Sequence, residues 1–231
     1  MTVIQNRRAF IGAAAGVALA ATAADAFAQT APKVEYAIKK LLFDPSKIKG
    51  LSEKLLVSHH ENNYSGTVKR LNAITAQLAS LDMASAPVFV VNGLKREELI
   101  AANSMIIHEL YFDGLGGEGE PKDALAEALT RDFGSVARWK AEFTAMGKAL
   151  GGGSGWVLLS YSPHDKRLIN SWAADHTMTL ANGRPILALD MYEHAYHMDY
   201  GARAAAYVDS FMQGIRWSHA QSLFERYSRE T

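Results

Sequence analysis

Residues 189–200 read LDMYEHAYHMDY, and this stretch decides the fold more sharply than any other part of the chain. Asp190 ends a short apolar run, ILAL over 186–189, that is typical of a buried strand. A buried carboxylate is unfavourable unless it is paired or binds a metal ion. His194 follows four residues later, so one helical turn would bring both side chains to the same point. Taken alone, the pair favours a salt bridge or a helix N-cap, with a metal site as the alternative.

Short apolar runs indicate three strands in the second half of the chain. They are bounded by turn residues and read WVLLSY over 156–161, LINSWAA over 168–174 and ILALD over 186–190. Around them, apolar residues recur at helical spacing. This spacing predicts helices over about 52–83, 95–112, 122–132 and 135–150, and again from about 192 to the C-terminus with a break near 200–201.

Finer features of the helices also follow from the sequence. Ser52 and Ser135 have the residue type and position of helix N-caps. A loop over 84–93, which contains Pro87, is predicted between the first two helices. On the second helix the apolar residues predicted to face inward are Leu99, Ile100, Ile106, Ile107 and Leu110.

The order of the elements predicts an α+β fold, because helices, a small sheet and further helices follow one another instead of alternating. We expect an N-terminal hairpin of long helices packed on a mixed C-terminal domain, in which a three-stranded antiparallel sheet is flanked by helices. The predicted segments are a removed signal peptide (1–28), an N-terminal arm (29–50), the helical hairpin domain (51–117) and the C-terminal α/β domain (118–231).

The first 28 residues have the features of an export signal. Arg7-Arg8 precedes an alanine-rich apolar run over 11–24, and Ala26-Phe27-Ala28 is a small-x-small cleavage site. The run is too short to span about 30 Å of hydrocarbon, and it lacks the polar face of an amphipathic helix. Twin arginines indicate the export route that carries folded proteins. We therefore expect a periplasmic or secreted protein that begins at Gln29 and has no membrane anchor after cleavage.

Composition excludes several classes of protein. The 231 residues include 24 Lys+Arg and 24 Asp+Glu, so the formal net charge is zero. A nucleic-acid partner or a polybasic membrane-surface role is not expected from such a balance. Because the chain has no cysteine, a disulfide, a thiolate nucleophile and a thiolate metal site are excluded. Any metal must be held by His, Asp or Glu, and eight histidines are available.

Two further histidines lie on predicted inward helix faces. His59 follows Leu55 by four residues, whereas His60 points about 100° away from that face. His108 lies beside Ile107 on the second helix. A single inward histidine can also be a hydrogen-bonded core residue. Three inward histidines and one strand-end aspartate would form a site of three nitrogens and one oxygen, which suits iron, manganese or zinc.

Four stretches together resemble the iron/manganese superoxide dismutase family. They are SEKLLVSHHENNYSGTVKRLN at 52–72, HELYFDGL at 108–115, GSGWVLL at 153–159 and LDMYEHAYHMDY at 189–200. The resemblance runs from about residue 33 to residue 227, and the Asp-x-x-Glu-His-Ala-Tyr pattern is highly specific for that family. In register, its metal ligands fall on His59, His108, Asp190 and His194.

The resemblance implies a reaction, a cofactor and a partner. We expect one iron or manganese ion per subunit and the conversion of superoxide to oxygen and hydrogen peroxide. Glu193 stands immediately before the last ligand, where the family has a glutamate that reaches a ligand histidine of the partner subunit. A homodimer is therefore expected.

Several residues depart from the family pattern around the ligands. Thr67 stands in place of a gateway tyrosine, and Ser104 and Gly152 occupy the two positions from which the resemblance would supply a glutamine. In the family, this glutamine and tyrosine hold the metal-bound hydroxide and relay a proton to it. A glutamine introduced at position 152 together with a tyrosine at position 67 is expected to restore these contacts. The candidates for a replacement relay in this chain are Tyr64, His197 and His176.

These departures leave alternatives to dismutation. A metal-binding protein of the same fold could have lost or altered its redox activity, because groups around the ligands tune potential and bound-water pKa. A purely structural dimer without metal is the third interpretation. Metal content and superoxide turnover per bound metal separate the three.

Overall fold

Ser52 begins the helical part of the protein, as the sequence predicts. In the computed structural model, which describes residues 34–117 and 119–230, its hydroxyl accepts a hydrogen bond from Leu55 N at 3.1 Å and caps α1 (Glu53–Ser58). A π-helical segment, His59–Tyr64, follows and continues into α2 (Ser65–Ser80). The predicted first helix therefore forms, but with one widened turn of a kind that is frequent at functional sites.

The second long helix, α3 (Val88–Asp113), begins earlier than predicted. Pro87 precedes its first residue, so the predicted loop over 84–93 is wrong in its second half. Proline is favoured at helix starts, because its missing N–H would have no partner within the helix. The two helices α2 and α3 pack on each other as the expected hairpin.

The prediction of which α3 residues face inward is also partly wrong. Leu99 and Ile106 are 48% and 54% exposed, whereas Ile107 and Leu110 are buried. Apolar residues occur on several sides of this helix, so their spacing alone does not define one face. The buried residues at its C-terminal half include Ser104, Met105, His108, Tyr111 and Phe112.

The three predicted strands form one antiparallel sheet. They are β1 (Trp156–Ser162), β2 (Arg167–Ala173) and β3 (Arg184–Asp190), in the order β2-β1-β3. Trp156 pairs with Ala173 on one side and with Asp190 on the other. The last residues of β2 and β3 therefore lie on either side of the first residue of β1, at one end of the strands.

Within residues 119–230, further helices pack on or near the sheet and confirm the α+β prediction. They are α4 (Asp123–Phe133), α5 (Val136–Ala149), α6 (His197–Tyr200), α7 (Ala204–Gln213) and α8 (Trp217–Arg229). Ser135 caps α5 by accepting a hydrogen bond from Arg138 N at 3.0 Å, as predicted. Trp139 of α5 meets Trp217 of α8 edge to face, with ring centroids 5.3 Å apart. Aromatic contacts of this kind add to the burial that holds helix to helix.

The arm before α1 is attached to the helical hairpin by polar contacts. Asn72 accepts a hydrogen bond from Tyr36 N and donates one to Tyr36 O, each at 2.8 Å. Lys39 N donates to the Tyr64 hydroxyl at 2.9 Å. Within the described part of the arm, the regular structure is one 3₁₀ turn, Pro45–Lys47.

Two predictions concern the chain as a whole. The signal peptide over 1–28, including Arg7-Arg8 and the cleavage site, lies outside the described residues. The division into domains at residue 117 stays a prediction. Within the part of the chain that the structure describes, the helices are too short or too polar to cross a membrane.

Candidate metal centre

Four side chains from separate elements converge at the end of the sheet where β3 finishes. His59 comes from the π-helical segment, His108 from α3, Asp190 from the end of β3, and His194 from the 3₁₀ turn Glu193–Ala195. Each offers one potential ligand atom, and these atoms all lie within 4.8 Å of one another. The structure therefore brings together the four residues that the sequence singled out.

Asp190 lies at the middle of the cluster. Its Oδ2 atom is 3.2 Å from His59 Nε2, 3.2 Å from His194 Nε2 and 3.7 Å from His108 Nε2. The other oxygen, Oδ1, accepts a hydrogen bond from Tyr192 N at 2.9 Å, which fixes the carboxylate orientation. The His194 side chain is 25% exposed, whereas the other three are almost completely buried. In the single chain, the exposed part of the cluster therefore belongs to His194.

Unpartnered nitrogens in this cluster indicate that a metal ion fits it. His59 Nδ1, His59 Nε2 and His108 Nε2 are buried and make no hydrogen bond. A buried polar atom without a partner typically costs about 1–3 kcal/mol, so such atoms are rare without a reason. An ion bound among the Nε2 atoms and Asp190 would satisfy two of these three nitrogens. Three imidazole nitrogens and a carboxylate oxygen form a donor set that iron and manganese accept.

The electrostatics of the cluster favour a bound cation. Burial, which Asp190 partly offsets, lowers the pKa of His59. Burial and the neighbouring His59 lower the pKa of His108 to about 3. Burial alone would raise the pKa of Asp190, but His194 and His59 hold it well below its usual range. Near neutral pH the cluster therefore offers neutral imidazoles at His59 and His108 together with an ionised carboxylate, the protonation states that metal ligation requires.

A hydrogen-bond chain sets the orientation of His108. Its Nδ1–H donates to Ser104 O at 2.7 Å, and Ser104 Oγ lies 3.3 Å from the same nitrogen. Ser104 Oγ is in turn 3.1 Å from Thr67 Oγ1. Two positions that depart from the family resemblance thus bond to each other. The contact of Ser104 with Nδ1 leaves His108 Nε2 directed at Asp190.

His176 is the candidate relay residue that the structure brings closest to the cluster. It follows β2 by three residues, so the strand register places it near Asp190. Trp156 Nε1 donates to His176 Nδ1 at 3.0 Å. The His176 ring centroid is 6.0 Å from that of His108 and 4.9 Å from that of Tyr192. Because Nδ1 accepts a hydrogen bond, the neutral ring carries its proton on Nε2.

Tyr64 makes its polar contacts on another side of the helical hairpin. Its hydroxyl donates to Glu109 Oε1 at 2.9 Å and accepts from Lys39 N at 2.9 Å. Burial and the Glu109 hydrogen bond raise the pKa of this phenol to about 12. Phe112 contacts both the Tyr64 ring and the His59 ring. A proton-donor role for Tyr64 stays a prediction, and the observed bonds attach the arm to α3.

His60 is turned toward the arm, as its position on the helix predicts. Its Nε2 atom lies 2.8 Å from Lys39 O. Glu193 and His197 carry exposed side chains in the single chain. Their predicted roles, in a dimer contact and in proton transfer respectively, stay predictions.

Position 152 lies in an exposed turn before β1. Gly152 has φ +83 and is exposed, and a Cβ built there would meet nothing within 4 Å. A substitution at this left-handed position would strain the backbone and direct the new side chain into open space. The expectation that a glutamine introduced at this position restores a missing contact stays a prediction, and the left-handed backbone conformation opposes the substitution. The structure instead places His176 beside Trp156.

A sizeable cavity lies away from these four side chains. It measures about 380 Å³, and the residues that line it include Lys47, Gly50, Gly116 and Ser210 from the arm, the loop after α3, and α7. Cavity volume therefore does not locate the chemistry in this protein. The cluster of unpartnered buried nitrogens does.

Comparison with known proteins agrees with the geometry. Residues 121–223 match the family model described as iron/manganese superoxide dismutases, C-terminal domain. The chain is 69% identical over 195 residues to the superoxide dismutase (Fe) of Cupriavidus metallidurans, a match that covers 84% of this chain and 99% of that protein. It is 34% identical over 179 residues to superoxide dismutase (Mn) 2 of Haloferax volcanii, covering 76% of this chain and 88% of that protein. It is 32% identical over 190 residues to the superoxide dismutase (Fe) of Aquifex pyrophilus, covering 79% of this chain and 88% of that protein.

Proposed function

Because this chain belongs to the iron/manganese superoxide dismutase family and is a superoxide dismutase, we propose that it works with one metal ion held by His59, His108, Asp190 and His194. The observation that carries the assignment of the ligands is the convergence of their four potential ligand atoms within 4.8 Å. When bound, iron or manganese supplies a one-electron redox couple that oxidises one superoxide to oxygen and reduces the next to hydrogen peroxide.

Side chains of the protein would hold the metal ion and position the reacting oxygen. Asp190 and the three histidines supply the donor atoms, and Ser104 holds the His108 ring through its Nδ1–H. His176 presents an Nε2–H as hydrogen-bond donor at the edge of the cluster, because Trp156 occupies its Nδ1. Thr67 and Ser104 stand where the family resemblance has a tyrosine and a glutamine that hold an oxygen at the metal. We assign this role, the positioning of a substrate or solvent oxygen, to His176.

We propose iron as the native metal, since the relative with 69% identity is named for iron. Protein purified from its own host is expected to contain one iron per chain and little manganese by elemental analysis. Superoxide turnover should rise in proportion to the bound iron. Turnover that follows manganese instead would contradict the choice of iron, and full metal content without turnover would contradict the function.

The alternative, a metal-binding protein with lost or altered redox activity, is not favoured. The relative named as a superoxide dismutase shares 69% of aligned residues over nearly its whole length. The altered residues around the ligands also bond to one another, at Thr67 and Ser104. Such a mutual contact is what a site adapted to new residues would have.

Export through the twin-arginine route is part of the proposal. It rests on Arg7-Arg8, the apolar run and the Ala26-Phe27-Ala28 site. The match to the Cupriavidus metallidurans protein covers 99% of that protein but only 84% of this chain, so part of this chain has no counterpart there. We expect periplasmic or secreted protein to begin at Gln29 by N-terminal sequencing. An Arg7→Lys, Arg8→Lys double variant should stay in the cytoplasm, and a wild type that keeps its full length there would contradict export.

We also propose a homodimer. Glu193 and Met198 are exposed in the single chain, and a partner subunit that contacts Glu193 would cover part of this exposed surface. Light scattering of the purified protein is expected to give the mass of two chains. Glu193→Ala should shift the equilibrium toward monomer, whereas Glu53→Ala, a change at an exposed glutamate on α1, should not. A monomeric wild type at micromolar concentration would contradict the proposal.

A further inference from the structure

A line of tyrosines leads away from the metal centre. The Tyr111 ring lies 5.2 Å from the His59 ring, measured between centroids. The Tyr207 hydroxyl donates to the Tyr111 hydroxyl at 3.3 Å. The Tyr207 ring is in turn 6.0 Å from that of Tyr200. Three phenols therefore follow one another outward from the ligand His59.

The line runs from the core to the surface. Tyr111 and Tyr207 are completely buried. Tyr200 is partly exposed, and its hydroxyl donates to Gly50 O in the arm. Burial raises the pKa of both Tyr111 and Tyr207, so they remain neutral phenols. The proposed dismutation uses neither of the two buried hydroxyls, although a phenylalanine would supply the same apolar ring.

We propose that Tyr111, Tyr207 and Tyr200 form a path by which an oxidising equivalent leaves the metal centre and reaches the protein surface. The inference rests on the proposed function with iron, because the reaction's own product, hydrogen peroxide, is the source of the oxidant. A ferrous ion held by the four ligands would supply one electron to hydrogen peroxide and become ferric, and the peroxide would give hydroxide and a hydroxyl radical. Unless it is diverted, a radical formed there attacks the nearest side chains, which are the ligands themselves.

Each step of the path balances in atoms and electrons. The hydroxyl radical takes a hydrogen atom from the Tyr111 phenol and becomes water. Tyr207 then gives its hydroxyl hydrogen to the Tyr111 oxygen, which restores Tyr111 and leaves the radical on Tyr207. The observed hydrogen bond already has this direction, from Tyr207 to Tyr111. Tyr200 next supplies an electron across the ring contact and releases its phenol proton, while Tyr207 takes up a proton. A thiol or an enediol in solution can finally reduce Tyr200 by one hydrogen atom.

Short contacts favour this route over random oxidation. Electron transfer slows exponentially with distance, so rings in contact pass an electron faster than separated ones. The Tyr207 ring is also held in place by stacking on Tyr196, with centroids 5.3 Å apart. The chain has no cysteine that could serve as an alternative internal reductant.

The test locates the radical and does not depend on dismutase rate. The iron-loaded full-length protein is reduced, treated with hydrogen peroxide in the presence of a nitroso spin trap, and digested for mass spectrometry. We expect a trapped adduct on Tyr200 in the wild type. In Tyr207→Phe the adduct should fall to the level of metal-free protein, while oxidation of the peptides that carry His59 and Trp156 rises. Tyr161→Phe is the matched control, since Tyr161 is a buried tyrosine of β1 that packs on Phe224.

Several results would overturn the path. One is a Tyr200 adduct that persists unchanged in Tyr207→Phe, and another is an equal adduct in metal-free wild type. Iron content and thermal unfolding of each variant establish that it is folded. If Tyr207→Phe does not fold, Tyr200→Phe decides, because loss of the terminal phenol should also raise oxidation at His59 and Trp156, and unchanged oxidation there overturns the path. Superoxide turnover is measured on the same wild-type sample, so a failure of the proposed function is recognised separately.

Discussion

Replacing His59 by alanine will abolish stoichiometric metal binding, whereas replacing the adjacent His60 by alanine will leave it intact. His59 is buried with Nε2 3.2 Å from Asp190 Oδ2. His60 Nε2 instead lies 2.8 Å from Lys39 O in the arm. One side chain therefore serves the cluster and its neighbour serves the arm. Elemental analysis of both purified variants, loaded under the same conditions, measures the difference.

Stability gives a second readout of the same prediction. A ligand that binds only the folded state adds about 2.7 kcal/mol to the free energy of unfolding when its free concentration is 100-fold above its Kd. Added iron should therefore raise the unfolding free energy of the wild type and of His60→Ala by a similar amount. It should leave His59→Ala unchanged. His59→Gln, which keeps a polar side chain of similar length, serves if the alanine variant does not fold.

The same loss is expected at the other three residues of the cluster. His108→Ala, Asp190→Ala and His194→Ala each remove one of the four atoms that lie within 4.8 Å of one another. Retention of metal by His59→Ala together with its loss from His60→Ala would show that the ligand assignment is displaced by one residue. Superoxide turnover should disappear with the metal in each ligand variant.

The choice between His59 and His60 could be made from the sequence because helical geometry separates adjacent side chains by about 100°. The π-helical form of the segment His59–Tyr64 could not be predicted, since its apolar spacing resembles that of an ordinary helix. The position of Asp190 followed from the end of an apolar run. Its contact with three histidines depends on helices and strands far apart in sequence, and the family resemblance supplied that grouping.

Other features depended on tertiary structure that local patterns do not contain. Leu99 and Ile106 are apolar residues on a helix with several apolar sides, and their exposure is set by which side packs on α2 and the sheet. His176 follows an ordinary strand and carries no local signal. The strand register, in which Trp156 pairs with both Ala173 and Asp190, brings it to the cluster. His176 could be named from the sequence as one of three relay candidates, but the sheet order is needed to choose it over Tyr64 and His197.

Replacing His176 by phenylalanine is expected to lower superoxide turnover by about 10–100-fold while iron remains bound, the range typical for groups that support metal ligands. Phenylalanine keeps a ring that can stack on Tyr192, which lies 4.9 Å away, but it removes the Nε2–H donor. His176→Gln restores an N–H donor and should recover part of the rate. Turnover per bound iron is measured for each variant, together with the optical spectrum of the ferric protein and its reduction potential.

The rival assignments of the relay are tested in the same assay. Tyr64→Phe removes a hydroxyl that bonds to Glu109 and Lys39, so we expect a loss of stability of about 1 kcal/mol, typical of one hydrogen bond, and little change in turnover. His197→Phe changes an exposed side chain and should also retain turnover. The reduction potential should shift in His176→Phe and stay constant in the other two, because of these three residues His176 is the one whose ring contacts His108, and the substitution removes its N–H donor. A full rate in His176→Phe combined with a slow Tyr64→Phe or His197→Phe would transfer the role to that residue.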